Sequence, residues 1–117
     1  MAARHQVTFF LILMKQAAAH HFVLVERRKN LDTLARLGMT VSDAKERVMG
    51  LTPEDYLSGP SPDDKHQGDE VWTFGLGLEE QDVYVKVCVL GEPLLCTCIS
   101  FHFAEKPFFY PLRASTE

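Results

Sequence analysis

A chain of 117 residues and 13.3 kDa has the usual length of one domain and is too short for two independent cores, so a single domain over 1–117 is expected. Its 46% hydrophobic, 10% aromatic and 24% charged residues, with no repeat or low-complexity tract, are those of an ordinary globular protein and not of a disordered or fibrous one. The net charge of −4 hides an asymmetry: residues 1–50 hold eight basic and four acidic groups, a balance of +4, whereas residues 51–117 hold four basic and twelve acidic groups, a balance of −8. A polyanion is therefore expected to approach the surface that the first half supplies.

Three cysteines without framework spacing argue against a disulfide-stapled secreted scaffold and for reduced thiols in the cytoplasm. The start of the chain imitates an export signal, with an apolar run from Val7 to Met14 followed by Ala17-Ala18-Ala19. That run is eight residues long and meets Lys15 directly, so it is too short to span a membrane. An amphipathic helix over Gln6–Ala19 is the expectation, because Phe9, Phe10, Leu13, Met14 and Ala17 recur at spacings of three and four.

His20–Glu26 is β-branched and aromatic and predicts a short strand. Asn30 is placed to cap a helix over Leu31–Leu37, with Leu31, Leu34, Ala35 and Leu37 inward and Gly38 ending it. A second helix is predicted over Thr40–Gly50, and Thr52-Pro53-Glu54-Asp55-Tyr56 carries the signature of a further helical turn. From Gly59 to Asp69, Pro, Gly and Asp leave no apolar period, and a loop is expected.

Beyond it, Glu70–Leu78, Asp82–Leu90 and Leu94–Phe103 alternate with period two and are joined by hairpin-length connections, which predicts an antiparallel meander. Val83, Val85, Val87 and Val89 then share one face with Trp72, Phe74, Ile99, Phe101 and Phe103. Tyr84, Lys86 and Cys88 share the other with Cys96, Cys98, Ser100 and His102. Pairing Leu78 with Gln81 sets Thr73 beside Lys86; pairing Leu90 with Leu94 sets Lys86 opposite Cys98, Tyr84 opposite Ser100 and Asp82 opposite His102. The fold class expected is α+β, with an N-terminal helix and short helices packed on a small antiparallel sheet.

A tyrosine, a lysine and a histidine on one sheet face are the group types needed to cut RNA without a metal. A base removes the ribose 2′-proton, a cation stabilises the phosphorane, and an acid protonates the leaving 5′-oxygen. His102 is the candidate acid or base, Lys86 the phosphate holder and Tyr84 its partner in orienting phosphate or moving protons. The competing reading is an ordinary solvated strand face. Arg27, Arg28 and Lys29 could meet phosphates at the edge of the site, although such a run is also common as plain surface. A metal site from Cys88, Cys96, Cys98 and a histidine is disfavoured, because a C-x-C pair on a strand lacks the turn that brings two thiolates to one ion. His20 and His21, adjacent on a strand, point to opposite faces. Phe108, Phe109 and Tyr110 are expected to strap the tail onto the core more than to stack bases.

The segments Glu70–Phe74, Asp82-Val83-Tyr84-Val85-Lys86-Val87 and Cys98-Ile99-Ser100-Phe101-His102 resemble the MqsR family of type II toxin–antitoxin toxins, which share the RelE/ParE-like ribonuclease fold. Lys29-Asn30-Leu31, the stretch from Gly50-Leu51 to Asp55-Tyr56, Ala104-Glu105 and Tyr110-Pro111-Leu112 extend the resemblance to about 22–112. It implies a cytoplasmic endoribonuclease that needs no cofactor, acts on single-stranded mRNA, and is neutralised by a cognate antitoxin; the ribosome is a further partner to consider and no membrane is. Tyr84 falls at the family's catalytic tyrosine, and His102 where a catalytic lysine follows Ser-Phe. Thr73 and Ser100 join the RNA-binding candidates. Ser58 and Thr73 depart from the lysine and glutamine that the family carries at those places, so a non-catalytic protein- or ribosome-binding module on the same fold is the alternative.

Overall fold

The chain runs through α1 (Arg4–His20), β1 (Phe22–Leu24), α2 (Arg28–Leu37), α3 (Val41–Met49), a 3-10 turn (Pro53–Asp55), β2 (Tyr56–Pro62), β3 (Glu70–Leu78), β4 (Gln81–Leu90) and β5 (Leu95–Phe103). A computed structural model describes residues 1–62, 69–78 and 81–113. The strands form one sheet of order β1-β5-β4-β3-β2. The α+β class stands, but the sheet is mixed rather than wholly antiparallel. The strand expected near His20–Glu26 shrinks to three residues and adds in parallel to the outer edge of β5, with Phe22, Val23 and Leu24 opposite Cys96, Thr97 and Cys98.

Helix α1 buries Val7, Phe10, Leu11, Met14, Ala17 and Ala18, so Phe10, Met14 and Ala17 of the predicted stripe face the core, while Phe9 is 70% exposed and Val7, Leu11 and Ala18 take part instead. The Phe10 ring stacks on Trp72 at 4.5 Å and near-parallel, with Phe74 at 6.2 Å and Tyr56 set against both β3 rings. This cluster pins α1 over the valine face; each such side chain contributes roughly 1.5–3 kcal/mol by leaving water. The Tyr56 hydroxyl accepts from Ala2 N and donates to Gly59 O, tying the start of α1 to β2.

Helix α2 begins at Arg28 with Arg27 in the capping position, three residues before the cap predicted at Asn30. Leu31 and Ala35 consequently face outward, while Asn30, Thr33 and Leu34 turn in. The stop at Gly38 is as expected: its φ of 67° is open to glycine without a Cβ clash. Helix α3 opens on Thr40 rather than Ser42, the two caps that the sequence offers, with Thr40 Oγ1 accepting from Asp43 N at 3.1 Å and Asp43 Oδ2 accepting from Thr40 N at 2.9 Å. The next helical turn ends at Asp55, and Tyr56 already belongs to β2.

The segment Gly59-Pro60-Ser61-Pro62, expected to be irregular, extends β2 along the free edge of β3 with two register shifts. Proline is tolerated there because an edge strand has one side that needs no N–H donor. The remainder of the predicted loop, 63–68, lies outside the described residues.

The β3–β4 register is the predicted one, with Leu78 opposite Gln81 and Thr73 opposite Lys86. The β4–β5 register is not. Leu90 pairs with Leu95, Val89 with Cys96 and Val87 with Cys98; the next pair is Lys86 with Ser100, leaving Ile99 as the extra residue of a β-bulge. The bulge reverses the parity of β5 halfway along. Cys96 and Cys98, expected beside Tyr84 and Lys86, sit instead on the core face with Val89 and Val87, both fully buried. Past the bulge Phe101 faces the core opposite Val85, and Ser100 and His102 face the other side opposite Lys86 and Tyr84.

Bulged backbone needs partners for the groups it removes from the ladder. Strand β1 stops at Leu24, and α2 takes over the outer edge of β5. Asn30, fully buried, donates from Nδ2 to Val25 O (2.8 Å) and Ile99 O (3.0 Å) and accepts at Oδ1 from Phe101 N (2.9 Å). Thr33 Oγ1 accepts from Phe103 N at 3.3 Å and donates to Lys29 O at 2.9 Å.

The second face of the sheet is covered by the chain after β5. Gly75 makes this possible, since a Cβ there would lie 2.6 Å from Phe108 Cδ2 and 2.6 Å from Tyr110 Oη. The end of this segment is clasped to the first half of the chain: Arg113 lies over the Tyr110 ring at 3.5 Å and donates to Glu54 O, and Arg4 donates to both Glu54 Oε2 and Leu112 O. Phe108 and Tyr110 thus lie on the sheet's second face and not, as expected, on the core, whereas Leu112 near the end of the tail does pack against the core.

Substituting Gly75→Ala should unseat this strap, costing about 1–3 kcal/mol in urea unfolding and exposing the bond after Phe108 to chymotrypsin; unchanged stability and digestion would contradict the packing. The buried placement of Cys96 and Cys98 has its own test. Burial pushes the Cys96 thiol up to about 12 from 9.0 and raises Cys98 too. Both should resist a thiol reagent in the native state and react on unfolding. The raised values favour the neutral folded form, so the stability they contribute is complete below about pH 9 and is lost as pH climbs toward the folded value.

Candidate active site

On the second face, β4 and β5 present Tyr84 opposite His102 and Lys86 opposite Ser100, and β3 adds Thr73 opposite Lys86. The Tyr84 and His102 rings stack at 5.3 Å with planes 23° apart, a closer pairing than the predicted register allowed. Two single-residue shifts are the reason: the hairpin pairs Leu90 with Leu95 instead of Leu94, and the bulge takes Ile99 out of the ladder, so His102 moves from the level of Asp82 to that of Tyr84.

His102 Nδ1 lies 3.1 Å from Phe103 O. A carbonyl only accepts, so Nδ1 carries the proton, and the neutral ring keeps its lone pair on Nε2. The backbone thereby selects the tautomer that can take a proton at Nε2. Arg27 reaches across from the start of α2 and donates from Nη2 to Ser100 Oγ at 3.2 Å, so its guanidinium is held over the same face as Lys86.

These groups border one open cavity of about 490 Å³. Its lining unites Tyr84, Lys86, His102, Thr73, Ser100, Arg27 and Lys29, seven of the eight residues singled out from the sequence. Arg28 is exposed at the first position of α2 and is not part of the lining. Ser58 and Leu57 of β2 complete the floor, and Glu105, Lys106, Pro107, Phe108 and Phe109 form a wall. Phe108 leans on Tyr84 with ring centres 6.4 Å apart, whereas Phe109 is 80% exposed at the rim.

Among the described residues four cations and one carboxylate line this cavity, an excess that the half-by-half charge count conceals, because the fold carries Lys86 and Lys106 out of the acidic second half to meet Arg27 and Lys29. Lys29 Nζ meets Glu105 Oε2 at 2.8 Å across the mouth. Both side chains are more than half exposed, so the pair adds little stability. A larger hollow of about 740 Å³ beside α1 is lined by Phe9, Phe10, Leu13 and Trp72 with Asp69 and Glu70, and none of its described lining residues is a lysine or arginine. Among the described residues no three His, Cys, Asp or Glu side chains gather as a metal-binding set.

Lys106 escaped sequence reasoning, and Phe108 and Phe109, expected as a strap on the core, line the cavity with it. The signal was proximity: a chain leaving His102 and turning at Pro107 must pass the end of β5. Comparison with protein-family models, curated proteins and solved structures found no match to this chain, so the site rests on its own geometry.

The Lys29 contact holds the Glu105 carboxyl below its ordinary value of 4.5. A depressed carboxylate keeps its ion pair above the ordinary value and loses it as pH falls through the lowered one. NMR titration of Glu105 should give a midpoint below 4.5, returning toward it in Lys29→Ala; equal midpoints in both proteins would mean that the pair does not persist in solution.

Proposed function

We propose that this chain is an endoribonuclease that cuts single-stranded mRNA by attack of a ribose 2′-hydroxyl on the adjacent phosphodiester. The reading is carried by the stacked Tyr84 and His102 rings set beside Lys86 and Arg27 in one open, cationic cavity.

The chemistry follows from these groups without a metal. His102 Nε2 takes the 2′-proton as the 2′-oxygen closes on phosphorus, forming a 2′,3′-cyclic phosphate and breaking the bond to the 5′-oxygen. The Tyr84 hydroxyl donates the proton that the leaving 5′-oxygen acquires. Lys86 and Arg27 face the non-bridging oxygens, whose charge grows in the phosphorane. The exposed Phe109 offers a base a ring at the rim, and Thr73, Ser58 and Ser100 offer hydroxyls inside. The resemblance to the MqsR family adds the biological setting of the proposal: a cytoplasmic toxin, a cognate antitoxin that silences it, and a ribosome that could present the message. No helix among the described residues is long and apolar enough to cross a membrane, which is compatible with that setting.

One observation favours a second reading. Ser58 and Thr73 line the floor where the resembled toxins carry lysine and glutamine, and Glu105 neutralises Lys29. A module that binds a protein or the ribosome and has lost the chemistry would look like this.

Incubating the purified protein with single-stranded RNA, with and without ribosomes, separates the two. The nuclease reading expects fragments ending in cyclic phosphate and 5′-hydroxyl. His102→Ala should lower kcat/KM on the order of 10²–10⁴-fold and abolish growth arrest on induction. Lys86→Ala should weaken RNA binding and flatten its salt dependence. Wild-type protein that leaves RNA intact while binding it would transfer the case to the second reading.

A further inference from the structure

Asn30 touches neither the cavity nor any group that could meet substrate, yet three backbone groups that would otherwise be buried without a partner end on its amide. A side-chain amide has the same donor and acceptor set as a peptide group, so Asn30 continues the work of β1 after that strand has ended. Two of its three bonds grip the residues on which the reversal of β5 turns, Ile99 and Phe101. Thr33, one helical turn later, holds Phe103 N in the same way.

Without these partners the outer edge of β5 would leave Ile99 O and the N–H groups of Phe101 and Phe103 orphaned next to α2, at about 1–3 kcal/mol each. Regular pairing without the bulge would instead turn the N–H and C=O groups of Ser100 and His102 toward α2, where the Asn30 amide and the Thr33 hydroxyl, set to meet Ile99, Phe101 and Phe103, would not match them. Because the side-chain period of a strand is two, regular pairing continued from Cys98 would turn Ser100 and His102 toward the core and Phe101 outward. The side on which the imidazole emerges therefore depends on the amide of a residue in α2.

We propose that Asn30 is a positioning residue: by holding the bulge at Ile99 it delivers His102 opposite Tyr84 on the open face, with Thr33 as its second anchor. This rests on the nuclease reading for its functional consequence, though not for its structural one. Asn30 makes no substrate contact and moves no proton. It acts through the β5 backbone, and its loss should appear in turnover more than in binding, because Lys86, on β4, stays where it is.

The test uses Asn30→Asp, which keeps the shape and the acceptor for Phe101 N but cannot donate to Val25 O or Ile99 O. It also uses Thr33→Val, which keeps the volume and removes the acceptor for Phe103 N. Val48→Ala, in the core of α3, serves as a control for general loss of stability. Two readouts are taken on the full chain: NMR cross-peaks between the Tyr84 and His102 rings together with the His102 ring-nitrogen shifts, and kcat and KM for cleavage of a single-stranded RNA.

In Asn30→Asp the ring cross-peaks should vanish and kcat should fall on the order of 10²-fold, the effect expected of a misplacement near 1 Å, with KM within a factor of two of wild type. Thr33→Val should move both readouts in the same direction by less, and Val48→Ala should move neither. If Asn30→Asp does not fold, Thr33→Val decides. Ring cross-peaks and nitrogen shifts identical to wild type in the folded variants would overturn the proposal whatever the activity. If the wild type cleaves no RNA, the nuclease reading fails, while the NMR arm still settles what holds His102 in place.

Discussion

The arrangement of this protein hangs on one buried side-chain amide. Asn30 stands where a fifth residue of β1 would stand if that strand were longer, and it answers the hydrogen-bonding demands of β5 at the point where β5 departs from regular pairing. A bulge in the interior of a sheet is sustainable only when the backbone groups it displaces find partners, because an unmet N–H or C=O away from water costs more than the bond it would have made. The partners come from a helix, so the position of α2 and the parity of β5 are a single coupled choice.

From that choice come two faces with opposite characters. On one, Cys96, Cys98 and Phe101 join the valines of β4 and the aromatic rings of β3 beneath α1, and the thiols become inert, buried volume. On the other, Ser100 and His102 meet Lys86 and Tyr84 under a strap that only a glycine at position 75 can accommodate. A regular β5 would send one of these sets to the wrong side. Placing both correctly requires one extra residue in the strand, and Ile99 is that residue.

The electrostatics of the cavity are a product of topology rather than of local composition. Residues 51–117 are strongly acidic, yet two of their basic residues, Lys86 and Lys106, line the cavity with Arg27 and Lys29 from the first half. What a polyanion meets is set by the few groups within a Debye length of the cleft and not by the total. The clasp of Arg4, Glu54 and Arg113 at the end of the tail keeps Phe108 and Phe109 as a wall beside the imidazole.

The sequence by itself determined the three helices, the strands β3, β4 and β5, the α+β class, the β3–β4 register and the residue types that share the cavity, since these follow from apolar period, capping residues and two-residue parity, which act over a few neighbouring positions. It also pointed to Tyr84, Lys86 and His102, and for the β4 residues the parity argument held because β4 is regular throughout. The β4–β5 register, the burial of Cys96 and Cys98, the inward turn of Asn30 and the parallel docking of β1 were decided only by tertiary structure. Each depends on hydrogen bonds between residues about 70 positions apart, such as Asn30 with Ile99 and Phe101, and a bulge leaves no mark in a period-two pattern until the partner that stabilises it is in place.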